Sequence, residues 1–195
     1  MNRTQLEHII RAASNIAADS EIVVIGSRAI HAQDSMNLPP IVFQSEEADV
    51  YPRNYPERAE DIDAAIGELS PFHEMHGYYA HGVSPETARL PEGWEHRLIR
   101  LSSSNTGGAT GFCLDVHDLV LSKYAASREK DREFNRAVVR YGGVGKKMLL
   151  TLVRSMPVDD DRKEIIVREM AVRPNPGKND DDPGGIKAIS RGLRA

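Results

Sequence analysis

The chain has 195 residues, 40% hydrophobic and 28% charged with a net charge of −4, a balance that suits one packed domain and excludes collagen-like or wholly disordered classes. No run approaches the roughly 18 apolar residues of a membrane span, and the N-terminal stretch MNRTQLEH lacks the apolar segment of a signal peptide, so a soluble cytoplasmic protein without a membrane partner is expected. Its single cysteine, Cys113, excludes an internal disulfide and a cysteine-based zinc site.

Leu6, Ile9, Ile10, Ala13 and Ile16 recur at helical spacing and predict an amphipathic helix over residues 4–18. The β-branched run 21–25 predicts a buried strand that feeds a Gly26-Ser27 turn. Residues 28–32 then start a short helix, which Pro39 and Pro40 keep from extending. Residues 41–51 predict a second extended segment, with Glu47, Asp49 and Tyr51 on one face and Ala48 and Val50 on the other. Ala59, Ile62, Ala65, Ile66 and Leu69 predict a helix entered at Pro56 and stopped by Ser70-Pro71. Residues 77–83, 96–101 and 111–116 read as strands. Helices follow at 117–130, 131–141, 146–154 and 159–172, punctuated by Gly142-Gly143 and Pro157. Residues 173–195, rich in Pro, Gly and Asp, read as a disordered tail. The expected class is α/β (α+β): a mixed-sheet core over 1–116, a helical region packed on it over 117–172, and the tail.

Glu47 and Asp49, at i and i+2 of a strand, point the same way with Cα atoms about 7 Å apart, which lets them bracket two divalent ions about 4 Å apart. Such oxygen ligands suit Mg²⁺ bound together with substrate phosphates. The Gly26-Ser27 turn offers backbone N–H groups and a hydroxyl to a phosphate, the small Gly26 permitting close approach. Without that turn, the acids read as an ordinary exposed strand face. Farther along, Lys123 and Lys130 lie seven residues apart and on one helix project from nearly the same face, so they suit a triphosphate; a solvated basic face is the competing reading. Charge is distributed to match: residues 44–96 carry 12 Asp/Glu against 3 Lys/Arg, and residues 123–173 carry 13 Lys/Arg against 8 Asp/Glu.

The ordered set of Ile25-Gly26-Ser27, then Glu47-Ala48-Asp49 followed by Tyr51-Pro52-Arg53, then the helical stretch from Asp118 to Asp131 resembles the DNA polymerase β-like nucleotidyltransferase superfamily. Within it the likeness is to AbiEii-type toxins and their small single-domain bacterial relatives, and it spans residues 20–135. The resemblance implies that Glu47, Asp49, Lys123 and Asp131 are catalytic, that Gly26, Ser27, Arg28, Lys123 and Arg128 bind the nucleotide, and that Glu47, Asp49 and Asp115 hold metal. Glu47 stands where Asp is usual and Ser27 where a second glycine is usual. Asp115 is the candidate third strand carboxylate, with helix capping as its alternative role. The implied activity is transfer of a nucleoside monophosphate from an NTP, with Mg²⁺ or Mn²⁺, to a hydroxyl of RNA (tRNA-like) or protein. The implied setting is a toxin–antitoxin pair or phage defence, with a cognate antitoxin or toxin as partner. A catalytically silent binding protein of the same fold, or an antitoxin-like partner, stays open beside it.

The histidine-bearing segment from Phe72 to His81 contains His73-Glu74-Met75-His76, one residue short of the H-E-x-x-H zinc pattern, and Pro71 and Gly77 argue against a stable helix there. Its histidines are expected on a surface or substrate loop, with a zinc hydrolase as the competing class. Cys113 is expected in the core, and Trp94 either anchors a loop or stacks a base.

Overall fold

The computed structural model describes residues 1–33, 37–141 and 144–171. Helix α1 (Arg3–Ala17) starts from a reciprocal cap: the Gln5 N–H donates to the Asn2 side chain and the Asn2 N–H donates to Gln5 Oε1. Its stripe of Leu6, Ile9, Ile10 and Ala13 is fully buried. Strand β1 (Glu21–Val24) buries Ile22, Val23 and Val24, as a central strand must when both of its faces are covered. Strand β2 (Glu47–Pro52) pairs antiparallel with β1, and helices α2 (Ala59–Ile66) and α3 (Pro71–His76) cross over to β3 (Tyr79–Gly82), which runs parallel to β2. Strand β4 (Ile99–Leu101) pairs antiparallel with β5 (Thr110–Cys113), which returns parallel to β1. The sheet order is β3-β2-β1-β5-β4. Helices α4 (Val116–Ala126), α5 (Glu129–Tyr141), α6 (Lys146–Leu152) and α7 (Asp160–Ala171) complete the described fold. The class is α/β, as the sequence implied.

Two glycines show which face the helices cover. A Cβ on Gly111 would lie 2.5 Å from Ile10 Cδ1 of α1, and one on Gly82 would lie 1.9 Å from the Ala59 carbonyl oxygen of α2. Gly111 registers with Ile22 and Gly82 with Val50, so Ile22, Ala48 and Val50 lie under α1 and α2. By alternation Glu47, Asp49 and their β3 neighbour His81 project from the opposite face.

The boundaries differ from the expectation wherever turn chemistry interrupts an apolar pattern. Residues 41–51 are not one extended segment: Pro40 opens a 3₁₀ turn, Pro40–Phe43, and the strand begins only at Glu47. The helix expected to reach Leu69 ends at Ile66; Leu69 has φ 61° and is 80% exposed. The H-E-x-H segment is helical after all, because Ser70 caps it, Pro71 takes the first helical position and Gly77 ends it at φ 71°. Its histidines diverge: His73 accepts the Leu69 N–H, while His76 stacks against Phe72 and Tyr78. The strand expected over 111–116 ends at Cys113, which is fully buried, and the helix expected over 117–130 ends at Ala126, where Ser127 turns left-handed at φ 58°. Among the described residues no helix is long and apolar enough to cross a membrane. The expected tail, 173–195, lies outside the described residues.

Candidate active site

At the C-terminal end of β1 the chain turns at Gly26, and directly across from it stands Asp49. A Cβ on Gly26 would lie 1.9 Å from Asp49 Oδ2 and 2.8 Å from its Cγ, so the missing side chain makes room for this carboxylate. The Ile25 N–H donates to the Asp49 carbonyl oxygen at 3.0 Å and fixes the backbone of the pair. The other Asp49 oxygen, Oδ1, lies 3.3 Å from His81 Nδ1, which is also 3.0 Å from Glu47 Oε1. His81 reaches the acids because β3 is in parallel register with β2, Asp49 opposite His81. Donor atoms of Glu47, Asp49 and His81 all lie within 4.8 Å of one another, the one such three-residue group among the described residues. Burial, then the like charge of Glu47, push the Asp49 carboxyl above its usual range, against the pull of His81. A divalent cation would relieve that repulsion, so the donor set fits one.

The cationic wall comes from the α4–α5 junction. Ser127 reverses the chain between the two helices, bringing Lys123 in the last turn of α4 beside Asp131 in the first turn of α5. Asp131 is fully buried and its carboxylate accepts hydrogen bonds from Lys123 Nζ at 2.9 Å and Arg128 Nε at 2.6 Å. Burial raises the Asp131 carboxyl, but the hydrogen bonds from Arg128 and Lys123 outweigh it and leave it below the ordinary aspartate value. Lys123 Nζ also sits 4.6 Å above the Phe134 ring. Burial lowers its ammonium below the usual lysine value even with Asp131 pulling the other way.

Two clefts meet at the acids. The larger, about 360 Å³, is lined by Ser27, Arg28, Glu47, Asp49, Lys123, Arg128 and Lys130, with Gln44 and Ser45 from the chain before β2. The smaller, about 160 Å³, shares Glu47, Asp49, Lys123 and Arg128 and adds Gly26, His81, Thr87 and Ser122. Lys123 and Lys130 therefore face one cleft from two consecutive helices rather than from one face of a single helix. Arg28 is 1% exposed, with its terminal nitrogens donating to the Met1 and Val42 carbonyl oxygens and its Nε unpaired. Burial lowers its guanidinium to about 10, with Asp49 opposing. It lends the cleft a charge from behind the turn and is not a free arm.

Asp115 does not join the acids. Its carboxylate accepts the His117 N–H and the His117 ring Nδ1, both at 2.8 Å, as the N-cap of α4, and the third residue with a donor atom near those of Glu47 and Asp49 is His81. Trp94 packs against the core and lines neither cleft. Gln44 and Ser45 were not singled out by sequence reasoning; His81 stood only as the last histidine of the segment 72–81 and Ser122 only within the basic helical stretch, neither with a role beside the acids. Only His81 had a signal available, as a polar residue in a strand that could pair with the acidic one.

The Gly26-Ser27 turn, Glu47 and Asp49, and Lys123, which the superfamily likeness put in one site, line the same two clefts, with Asp131 behind Lys123. The family described as nucleotidyltransferase of unknown function (DUF6036) matches residues 4–164. The chain belongs to this family. A search of curated proteins and one of solved structures each gave no match. The family's matched span takes in every element from α1 to the first turn of α7, and with them both clefts.

Proposed function

We propose that this nucleotidyltransferase-family protein transfers a nucleoside monophosphate from an NTP to a hydroxyl of RNA or protein, using a divalent cation, Mg²⁺ or Mn²⁺, held by Glu47 and Asp49. The observation that carries this reading is the convergence on one cleft of Glu47 and Asp49 of β2, Ser27 of the turn after β1, and Lys123 and Arg128, both held by Asp131. At about 360 Å³ the larger cleft is within the roughly 300–1,000 Å³ range of small-molecule sites, so it is the place for the nucleotide. The smaller cleft, opening onto the same acids, is the approach for the acceptor.

In this reading the acceptor hydroxyl gives up its proton to solvent as its oxygen bonds to the α-phosphorus, the bond between the α-phosphorus and the oxygen bridging to the β-phosphorus breaks, and pyrophosphate leaves. A bound cation supplies charge neutralisation at the phosphates. Ser27 offers its hydroxyl and the turn its N–H groups to the phosphate tail. Lys123, held by Asp131 and Phe134, meets the charge that develops on the leaving pyrophosphate without having to reorganise. Asp131 is spent on Lys123 and Arg128, so it positions them and does not touch substrate. The core over 1–116 carries the acids and Arg28, and the helical region from 117 onward carries Lys123, Arg128 and Lys130. A toxin–antitoxin or phage-defence setting with a cognate partner, which the AbiEii-type likeness implies, belongs to the same proposal.

The test is incubation with each α-labelled NTP, Mg²⁺ or Mn²⁺, and total cellular RNA or protein, resolved on a gel. Label should enter one acceptor class and be lost with Asp49→Asn. Absence of both labelled acceptor and released pyrophosphate under every condition would overturn the reading.

A further inference from the structure

We infer that His81 is the third ligand of the cation site and that its nitrogen, joined to the oxygens of Glu47 and Asp49, makes the site prefer Mn²⁺ to Mg²⁺. This rests on the proposal that these acids hold a divalent cation, and goes beyond it to the choice of ion. His81 Nδ1 lies 3.0 Å from Glu47 Oε1 and 3.3 Å from Asp49 Oδ1, between the two carboxylates. Adjacent ligands of an octahedral ion with bonds of about 2.1 Å are about 3.0 Å apart, so His81 Nδ1 already stands at ligand spacing from each carboxylate, with all three donors within 4.8 Å of one another. The placement is set by the strand ladder, with Asp49 opposite His81 and Val50 opposite Gly82, and not by a loop. Asp49 is held from the other side, its Oδ2 seated in the space that the absent Gly26 side chain leaves.

The donor chemistry decides the ion. Mg²⁺ is hard, dehydrates reluctantly and favours an all-oxygen shell, whereas first-row transition dications accept imidazole nitrogen; Mn²⁺, which shares the liking of Mg²⁺ for carboxylate oxygen, loses less than Mg²⁺ when one donor is a nitrogen. Asp115, the carboxylate that would complete an all-oxygen set, is committed to capping α4 and to His117. A competing role for His81 is that of a cation which merely offsets the charge of Glu47 and Asp49. The two roles give opposite signs. If His81 were only a counter-charge, removing it would strengthen binding of every dication; if it is a ligand, removal weakens Mn²⁺.

The experiment titrates the full chain with Mn²⁺, followed by the electron paramagnetic resonance of the free ion, and with Mg²⁺ by calorimetry. It compares the unsubstituted chain, His81→Ala and His81→Asp. The His81 side chain is 48% exposed, so His81→Ala should melt near the unsubstituted protein, while His81→Asp, which sets a third carboxylate beside Glu47 and Asp49, should melt lower without metal and recover when the ion is added. The expected result is tighter Mn²⁺ than Mg²⁺ binding in the unsubstituted chain, and a loss of Mn²⁺ affinity of about tenfold or more in His81→Ala. Mg²⁺ affinity should change much less, and His81→Asp should move the preference toward Mg²⁺. Unchanged or tighter Mn²⁺ binding by His81→Ala overturns the inference while leaving the acids as a cation site. If the unsubstituted chain binds neither ion, the cation reading of Glu47 and Asp49 fails and this inference fails with it.

Discussion

Replacing Gly26 by alanine tests the site's geometry at its tightest point. The new Cβ would lie 1.9 Å from Asp49 Oδ2, 2.8 Å from its Cγ and 3.0 Å from its Cβ. Gly26 has φ −88° and ψ −173°, extended backbone that alanine adopts freely, so the cost is steric and not conformational. The oxygen must retreat by more than 1 Å to reach even the closest tolerated contact. With its side chain 28% exposed, Asp49 can swing outward and relieve most of the overlap, which holds the stability loss to about 1–2 kcal/mol, the low end for overpacking. In a chain of 195 residues that is a fall in Tm of about 2–8 °C. The swing removes Oδ1 from His81 and misplaces the carboxylate by about 1 Å, for which a rate loss near 10²-fold is expected. Melts and NTP-transfer assays on Gly26→Ala, Asp49→Ala and the double variant measure both effects. In the Asp49→Ala background the contacts at 1.9 and 2.8 Å vanish, so Gly26→Ala should cost about 1 kcal/mol less there. Equal cost in both backgrounds, or full activity of Gly26→Ala, would refute the placement of Asp49 against the turn.

Asp49→Asn should lower transfer by at least about two orders of magnitude while leaving Tm unchanged or slightly higher, because it removes the repulsion from Glu47. A destabilised but active variant would contradict that role. Asp131→Asn leaves Lys123, 12% exposed, without its counter-charge and should cost about 2 kcal/mol in a denaturant melt, discounted from a fully buried pair because Arg128 is 62% exposed. Since Asp131 is held below the unfolded value of about 3.9, its contribution is complete above that pH and is lost as pH falls through the folded value. The deficit of the variant should therefore narrow in acid, and a constant deficit down to pH 2 would argue against the pairing. His31 makes a distinct prediction: burial lowers its imidazole to about 4, its Nε2 contacts the Met1 carbonyl oxygen at 2.9 Å, and its ring stacks on Phe43. Protonation favours the unfolded chain between about 6.5 and 4, so stability should fall as pH drops through that window. His31→Gln should flatten the Tm profile there, and an unaltered slope would exclude His31 as its source.

Amino-acid order alone determined what depends on short-range periodicity. The α1 stripe, the buried β1 run and the shared face of Glu47 and Asp49 follow from repeats of 3.6 and 2 residues, and each is a property of one segment. Lys123 stood out as part of a basic helix and Asp131 only through the family likeness, and nothing in that stretch joined the two. A single left-handed residue, Ser127, turns them together. Tertiary structure alone decided the remainder, because register and burial depend on which distant segment arrives. His81 meets Asp49 through a parallel pairing set by the α2–α3 crossover, for which a single strand carries no signal. Arg28 reads as a phosphate-binding side chain until Met1 and Val42 bring carbonyl oxygens over it, and Asp115 reads as a metal ligand until α4 begins one residue later. Gly26 reads as room for a phosphate, yet the space it leaves is filled by a carboxylate from the neighbouring strand, which only the β1–β2 pairing could bring there.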